Sequence, residues 1–221
     1  MITLAIDAST YAGDVAVLDD GRVLAEENIA MKGADRERLM PAVVAVLERS
    51  ALRVADVDRV VCGAGPGSFT SLRIAGGIAK GIASGLGRPL YAVPSTALLI
   101  GGANLRPGRY LVAIDALRGE FYIGLYDVSF ETRVSELEPA RLVPAADVET
   151  VASELDAQIV SPTAFEHSIV ATPRARGVAA IEEILQSRGS VDIGAWEPSY
   201  GRLAEAQVRW ETAHGKPLSA G

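Results

Sequence analysis

The residues with the clearest chemical potential form a glycine-rich loop in the first half of the chain. The run 65–73 reads Gly-Pro-Gly-Ser-Phe-Thr-Ser-Leu-Arg. Glycines let a backbone approach a ligand closely, and such a loop before a helix can hold an anion on its N–H groups. The spacing matches neither a P-loop nor a dinucleotide-binding fingerprint. The alternative, which the residues alone favour slightly, is a tight strand-to-helix turn capped by Ser68 or Thr70 without a ligand. The glycine loop is Gly65, Pro66, Gly67, Ser68, Phe69 and Thr70.

Two aspartates follow apolar runs at positions where strands are predicted to turn. Asp7 is accompanied by Ser9 and Thr10, and Asp115 is accompanied by Arg118. In a two-lobed nucleotide-binding fold, such turns face each other across a cleft and their carboxylates hold Mg²⁺ and orient phosphates. The alternative is that each aspartate caps local backbone amides. Because the first turn lacks a glycine, we predict a vestigial phosphate site at Asp7, Ser9, Thr10 and Asp115.

Residues for metal or covalent chemistry are sparse. The two histidines, His167 and His214, lie far apart in sequence and have no ligand spacing. Cys62 is the single cysteine, so an intramolecular disulfide cannot form, which fits a reducing cytosol. No nucleophile-elbow pattern is present. We therefore expect no catalytic residue and no metal ligand in this chain.

The order of predicted elements indicates an α/β protein with two related halves. A β-meander over residues 2–30 precedes a helix, a strand, the glycine loop and a second helix over 71–86. The apolar run that ends in Asp7 recurs at residues 110–115 and ends in Asp115, which suggests an internal duplication. We predict one lobe over residues 1–105, a reduced second lobe over 106–221, and late helices over 178–186 and 203–210.

The helix after the glycine loop has two distinguishable sides. Ile74, Ile78 and Ile82 share one side, which we expect to pack on the sheet. The opposite side carries small residues, and an exposed stripe of small residues would let another helix approach to about 8–10 Å. The predicted interface, with two residues of the preceding helix, is Leu39, Val43, Leu72, Gly76, Ala79 and Ala83. The alternative is that this side packs against the chain's own neighbouring helix.

The charge balance argues against direct binding of RNA. The chain carries 21 basic and 28 acidic residues, a net charge of −7. Proteins that hold tRNA alone usually show a basic patch, because neutralised phosphates supply most of the affinity. No lysine or arginine cluster is present, so we expect any contact with tRNA to be indirect. No apolar run is long enough to cross a bilayer, and no secretion signal is evident.

Several motifs resemble those of one known family. Residues 65–73 resemble the Gly-Pro-Gly-Ser-Phe-Thr-Gly-Leu-Arg signature of the TsaB (YeaZ) family. Residues 6–10 resemble its first strand and turn, and residues 113–122 its second. Residues 197–202 resemble its C-terminal Pro-x-Tyr-x-Arg element. The resemblance therefore extends over most of the chain.

This resemblance implies a fold and a function. The fold would be that of the actin, Hsp70 and sugar kinase superfamily, with two ribonuclease-H-like lobes of mixed sheets flanked by helices. The chain would be the non-catalytic partner of a catalytic paralogue that forms N6-threonylcarbamoyladenosine at position 37 of tRNAs reading codons that begin with A. A small ATPase would complete this cytoplasmic complex. We expect no cofactor of the chain's own, and the resemblance leaves open ATP at the complex interface and a homodimer.

Departures from the family pattern leave two rival functions to test. Ser71 replaces a glycine of the signature, and Gly201 stands where leucine is frequent. Ser161-Pro162 lies where nucleotide-binding relatives have a flexible glycine-rich adenine loop, so we expect no independent ATP binding. One rival is an autonomous small-molecule kinase that uses Asp7 or Asp115. The other is a freestanding homodimeric binding module.

Overall fold

The described residues form two five-stranded sheets and five α-helices. The computed structural model describes residues 1–31, 37–116 and 118–200. The strands are β1 Ile2–Asp7, β2 Ala12–Asp19, β3 Arg22–Ala30, β4 Arg59–Gly63, β5 Leu90–Val93, β6 Gly108–Asp115, β7 Glu120–Val128, β8 Val134–Pro144, β9 Gln158–Ser161 and β10 Ile169–Val170. The helices are α1 Leu39–Arg49, α2 Phe69–Leu86, α3 Ser95–Gly102, α4 Val148–Glu154 and α5 Glu182–Arg188. Short 3-10 helices span Val54–Asp56, Ala145–Asp147 and Ala175–Ala180.

The two sheets share one topology. The first has the order β3-β2-β1-β4-β5, with β1 antiparallel to β2 and parallel to β4. The second has the order β8-β7-β6-β9-β10, with β6 antiparallel to β7 and parallel to β9. Each sheet is thus an antiparallel meander extended by two parallel strands, the arrangement of a ribonuclease-H-like lobe. The predicted fold class is confirmed, and Asp7 and Asp115 end the equivalent central strands.

Successive side chains of each central strand point to opposite faces of its sheet, so each strand contributes to a hydrophobic core on both faces. In β1, Leu4 and Ile6 face α1 and α2, whereas Ala5 faces the core that lies between the two sheets. In β6, Val112 faces this shared core and Leu111 faces the outer core under α4. The central strands are therefore buried on both faces and fix the positions of the turns at their ends.

After β10 the chain returns to the first sheet. The 3-10 helix Ala175–Ala180 packs on α3, and a Cβ on Gly101 would overlap the carbonyl oxygen of Gly177. The predicted single helix over 178–186 is wrong at its start. The chain instead forms the 3-10 helix and then α5, with Ile181 between them at φ −112° and fully buried.

A buried ionic group fastens this return segment to β2 and β3. Arg174 Nε donates to Glu26 Oε1 at 2.9 Å and lies 2.9 Å from Asp14 Oδ2, with which the guanidinium forms an ion pair. The N–H of Ala175 donates to Asp14 Oδ1 at 2.7 Å. Burial raises the pKa of Asp14 to about 7, against the opposing effects of the Ala175 N–H and of Arg174. The segment after the second sheet therefore makes part of its contacts with the first sheet.

Candidate functional site

Asp7, the first of the predicted phosphate-site residues, lies inside the protein. Its side chain is fully buried, and Oδ1 accepts hydrogen bonds from the Ser9 N–H at 3.0 Å and the Ser9 hydroxyl at 2.8 Å. Oδ2 accepts one from the Ser95 hydroxyl at 2.6 Å. Burial raises the pKa of Asp7, and these hydrogen bonds act in the opposite direction. The carboxylate thus has local protein donors on both oxygens and no path to solvent.

The glycine loop packs directly on the first turn. The N–H of Ser68 donates to the carbonyl oxygen of Ser9 at 2.6 Å, and a Cβ on Gly67 would overlap the same oxygen. A Cβ on Gly63 would overlap Asp7 Oδ2. The space that a phosphate would need beside Asp7 is therefore filled by the protein's own backbone.

Of the other predicted phosphate-site residues, Ser9 hydrogen-bonds to Asp7, whereas Thr10 and Asp115 lie in different settings. Thr10 Oγ1 exchanges hydrogen bonds of 3.2 Å with the backbone of Ala12, as a local turn would. Asp115 is exposed at the end of β6, whereas Ser9 is buried beside Asp7. The alternative interpretation of Asp7, a carboxylate that caps local amides, fits this geometry.

The interpretation of the glycine loop as a capped turn is only half right. Ser68 occupies the N-cap position of α2, but its side chain makes no capping hydrogen bond to the helix. Its hydroxyl lies 3.1 Å from the hydroxyl of Ser71 instead. The glycines serve close packing, and Gly65, at φ +93°, also contacts the C-terminal part of the described chain.

That part, residues 191–200, runs along α2 and is called here the tail strap. Its Ser199 N–H donates to the carbonyl oxygen of Ala64 at 2.8 Å. Lys80 Nζ donates to the carbonyl oxygen of Trp196 at 2.7 Å. The rings of Tyr200 and Phe69 lie 4.3 Å apart. The conspicuous aromatic residue of the glycine loop therefore binds the chain's own tail.

The predicted orientation of α2 is wrong. Leu72, Ala79 and Ala83 are fully buried, whereas Ile74 and Ile78 are half-buried at the flank of the helix. Small residues face the sheet because they allow the 18-residue helix to lie close to it. The hydrophobic pattern of α2 did not show which side faces the sheet, because both sides of the helix are weakly apolar.

The other predicted interface residues are also internal. Gly76 is buried under the tail strap, where a Cβ would lie 2.9 Å from Pro198 Cγ. Leu39 and Val43 face the core at 0% and 1% exposure. None of the six predicted residues is available on the surface for a partner, so the predicted stripe is internal packing.

A different apolar surface lies on the outside of the same two helices. On α1, Met40 and Val44 are 41% and 44% exposed. On α2, Gly77 and Gly81 are exposed, and a Cβ on either would meet nothing within 4 Å. This outer face, called here the helical face, consists of Met40, Val44, Ile74, Gly77, Ile78, Gly81 and Ile82.

Two functional features escaped the sequence interpretation. Ser95, which begins α3, holds Asp7 and also accepts the N–H of Gly65 at 3.1 Å. Gly63 provides the room that the Asp7 carboxylate needs. Neither belongs to a motif with a known chemical meaning, and their contacts join strands that are distant in sequence.

Candidate ligand sites of other kinds are limited within residues 1–31, 37–116 and 118–200. In these ranges no group of three or more His, Cys, Asp or Glu side chains is arranged to hold a metal ion. Likewise, no described helix combines the length and the apolar character of a membrane span. In the region of the adenine loop, Ser161 is fully buried and its hydroxyl accepts the Thr163 N–H at 3.0 Å. The predicted helix over 203–210 and the Gly201 departure lie outside the described residues.

Comparison with known proteins gives one consistent result. A family model described as TsaD, tRNA N6-adenosine threonylcarbamoyltransferase, matches residues 28–187, more than half of the chain. The chain is 29% identical to the tRNA threonylcarbamoyladenosine biosynthesis protein TsaB of Bacillus subtilis, over 95% of this chain and 98% of that protein. It is 38% identical to the TsaB protein of Escherichia coli, over 57% of this chain and 55% of that protein.

Solved structures agree with these relatives. A Pseudomonas aeruginosa protein described as similar to the peptidase YeaZ superposes with a TM-score of 0.77 at 27% identity, over 91% of this chain and 99% of that one. YeaZ from Pseudomonas aeruginosa gives a TM-score of 0.73 at 26% identity, over 90% of this chain and 99% of that one. The chain therefore belongs to the family of the TsaD threonylcarbamoyltransferase model, in which it resembles the TsaB (YeaZ) proteins over up to 95% of its length.

Proposed function

We propose that this protein is the non-catalytic partner subunit in the cytoplasmic formation of N6-threonylcarbamoyladenosine at position 37 of tRNAs reading codons that begin with A. It binds and activates a catalytic paralogue of the same fold, and a small ATPase completes the complex. The observation that carries the proposal is the similarity to Bacillus subtilis TsaB, named as a biosynthesis protein of this nucleoside, over nearly the full length of both chains.

The closed state of the Asp7 region supports a role without chemistry of the chain's own. A catalytic carboxylate must reach its substrate, but the Asp7 carboxylate is buried and accepts three hydrogen bonds from Ser9 and Ser95. The glycine loop, which could have held a phosphate, contacts Ser9 and the tail strap instead. These contacts also count against the autonomous kinase.

The helical face supports a role as a partner. Met40 and Val44 expose apolar side chains beside a helix whose outer side offers Gly77 and Gly81. Glycines without neighbours let a helix of another chain approach closely, and the surrounding apolar side chains would then be removed from water. The acidic net charge of −7 fits a complex in which another chain holds the tRNA.

Capture from a native cell extract tests this proposal. The tagged protein is expected to retain the catalytic paralogue at a one-to-one ratio, identified by mass spectrometry. As a matched control, Gly81→Arg, which places a long charged side chain on the helical face, should retain none, whereas Arg88→Ala, on the exposed C-terminal side of α2, should retain as much as wild type. Retention of a second copy alone would favour the homodimeric binding module, and ATP turnover by the purified chain that Asp7→Ala abolishes would favour the kinase.

A further inference from the structure

A cleft opens between the two lobes beside the glycine loop. Its volume is about 340 Å³, within the range of small-molecule sites. One wall is formed by the loops after β4 and β5 and includes Pro66 and Pro94. The opposite wall is formed by β7, β8 and α5, and includes Tyr122, Leu142 and Arg188. No residue of the Asp7–Thr10 turn lines it, so this cleft is distinct from the closed phosphate site.

Tyr122 is a polar group of the cleft without a hydrogen-bond partner among the described residues. Its side chain is only 6% exposed, yet no described residue lies within hydrogen-bond distance of its hydroxyl. The other buried tyrosines of this sheet are satisfied: Tyr110 donates to the carbonyl oxygen of Arg106 at 2.8 Å, and Tyr126 lies 2.7 Å from Thr96 Oγ1. Burial raises the pKa of Tyr122, which keeps the hydroxyl protonated as a donor. Because Tyr122 lines the open cleft, its hydroxyl can donate to a ligand bound there.

Arg188 supplies further donors to the same cleft. Its Nη2 donates to Glu136 Oε2 at 2.7 Å, so the two side chains neutralise each other. The guanidinium has five N–H groups, and the others have no acceptor among the described residues. Arg141 also lines the cleft, so the cleft offers donors in excess of acceptors and two arginines against one glutamate.

The rest of the lining mixes the polar residues Glu136, Arg141 and Ser199 with apolar ones. Pro66, Pro94 and Pro139 contribute rigid rings, and Leu142 lies across the strand pair from Tyr122. The proline rings and Leu142 favour a planar ligand ring, because such a ring buries its faces with little loss of conformational freedom.

We infer that the inter-lobe cleft binds a small planar molecule through a hydrogen-bond acceptor, a carbonyl or carboxylate oxygen, that takes the Tyr122 hydroxyl and an Arg188 N–H. This inference concerns the isolated chain and does not depend on the proposed function, because the helical face lies elsewhere on the molecule.

The experiment uses the full-length chain and three small probes. Benzamide carries a neutral acceptor, benzoate carries an anionic acceptor, and aniline has the same ring with a donor in place of the acceptor. Binding is followed by amide chemical-shift changes in NMR spectra. We expect saturable shifts at Ala64, Gly65 and Tyr122 with benzamide or benzoate, and the stronger of the two shows whether the preferred acceptor is charged. Tyr122→Phe is expected to weaken that binding about threefold to tenfold, as the loss of one hydrogen bond would.

A second readout needs no ligand. Tyr122→Phe removes a hydroxyl without a protein partner and should leave the urea unfolding midpoint unchanged or raise it, whereas Tyr110→Phe removes a satisfied hydroxyl and should lower it. Three results would overturn the inference: no saturable binding of either acceptor probe, equal binding of aniline, or a loss of stability in Tyr122→Phe that matches Tyr110→Phe.

Discussion

The orientation of α2 leads to a pair of substitutions with opposite outcomes. Gly81 is exposed and has open space around its Cβ position, whereas Ala79, two residues earlier, is fully buried against the sheet. Gly81→Arg should stabilise the isolated chain by about 0.7 kcal/mol, because glycine is a poor helix former. Ala79→Arg has to bury a guanidinium without a partner, at a cost of several kcal/mol. Because that cost approaches a typical total stability of about 5–15 kcal/mol, this variant should be unfolded.

Gly81→Arg should lose its association with the paralogue although the variant stays folded. If a partner helix lies on the helical face, the arginine of Gly81→Arg is buried unpaired in the complex. A penalty of about 3 kcal/mol corresponds to a more than hundredfold loss of affinity. Gly77→Ala serves as the control, since it gives a similar gain in helix stability with only one added methyl group.

The assay combines circular dichroism, urea unfolding and size-exclusion chromatography with the paralogue. We expect Gly81→Arg to be folded, slightly stabilised and monomeric in the mixture. Normal assembly of this variant would refute the assignment of the helical face as the interface. A folded Ala79→Arg variant would refute the orientation of the helix.

Three further predictions concern the internal contacts. Gly76→Ala should lower the free energy of unfolding by about 1–3 kcal/mol relative to Gly77→Ala, because its methyl group meets the tail strap, and urea unfolding measures the difference. Ser95→Ala should cost about 1–3 kcal/mol by leaving the buried Asp7 Oδ2 without its donor, and a fully stable variant would contradict the hydrogen-bond assignment. Burial raises the pKa of Asp14 from 3.8 to about 7, so between these values the folded chain binds more protons than the unfolded chain. The stability of wild type relative to Asp14→Asn should therefore fall as the pH rises from about 4 to about 7, by up to about 1.4 kcal/mol per pH unit, and an increase over this range would show that the pKa is lowered instead.

Period-two and period-3.6 patterns were sufficient for the fold because the central strands are buried and bounded by clear turns. The recurrence of an apolar run ending in aspartate, at Asp7 and Asp115, predicted the duplicated topology that the two sheets show. The sequence around these two aspartates did not indicate their roles. Asp7 is buried against Gly63 and Ser95, which are remote in sequence, whereas Asp115 is exposed.

The site was harder to predict than the fold because α2 has no strongly polar side. Isoleucine is the more hydrophobic residue, so Ile78 was expected to face the sheet, but close helix–sheet packing places Ala79 there. The tail strap adds a contact at Gly76 that no local pattern encodes. The domain boundary predicted at residue 105 stays a prediction, although the return of residues 175–188 to the first sheet shows that contacts of the late chain are divided between the lobes.

A reconstituted reaction tests the central claim most directly. The measurement is the rate at which the catalytic paralogue and the small ATPase form N6-threonylcarbamoyladenosine on tRNA, with wild type, Gly81→Arg or Asp7→Asn at matched concentrations. The account predicts product with wild type, none with Gly81→Arg, and an undiminished rate with Asp7→Asn once that variant is folded and bound. Product formation without this chain, or a bound and folded Asp7→Asn complex that makes no product, would contradict the claim that the protein acts as a partner without chemistry of its own.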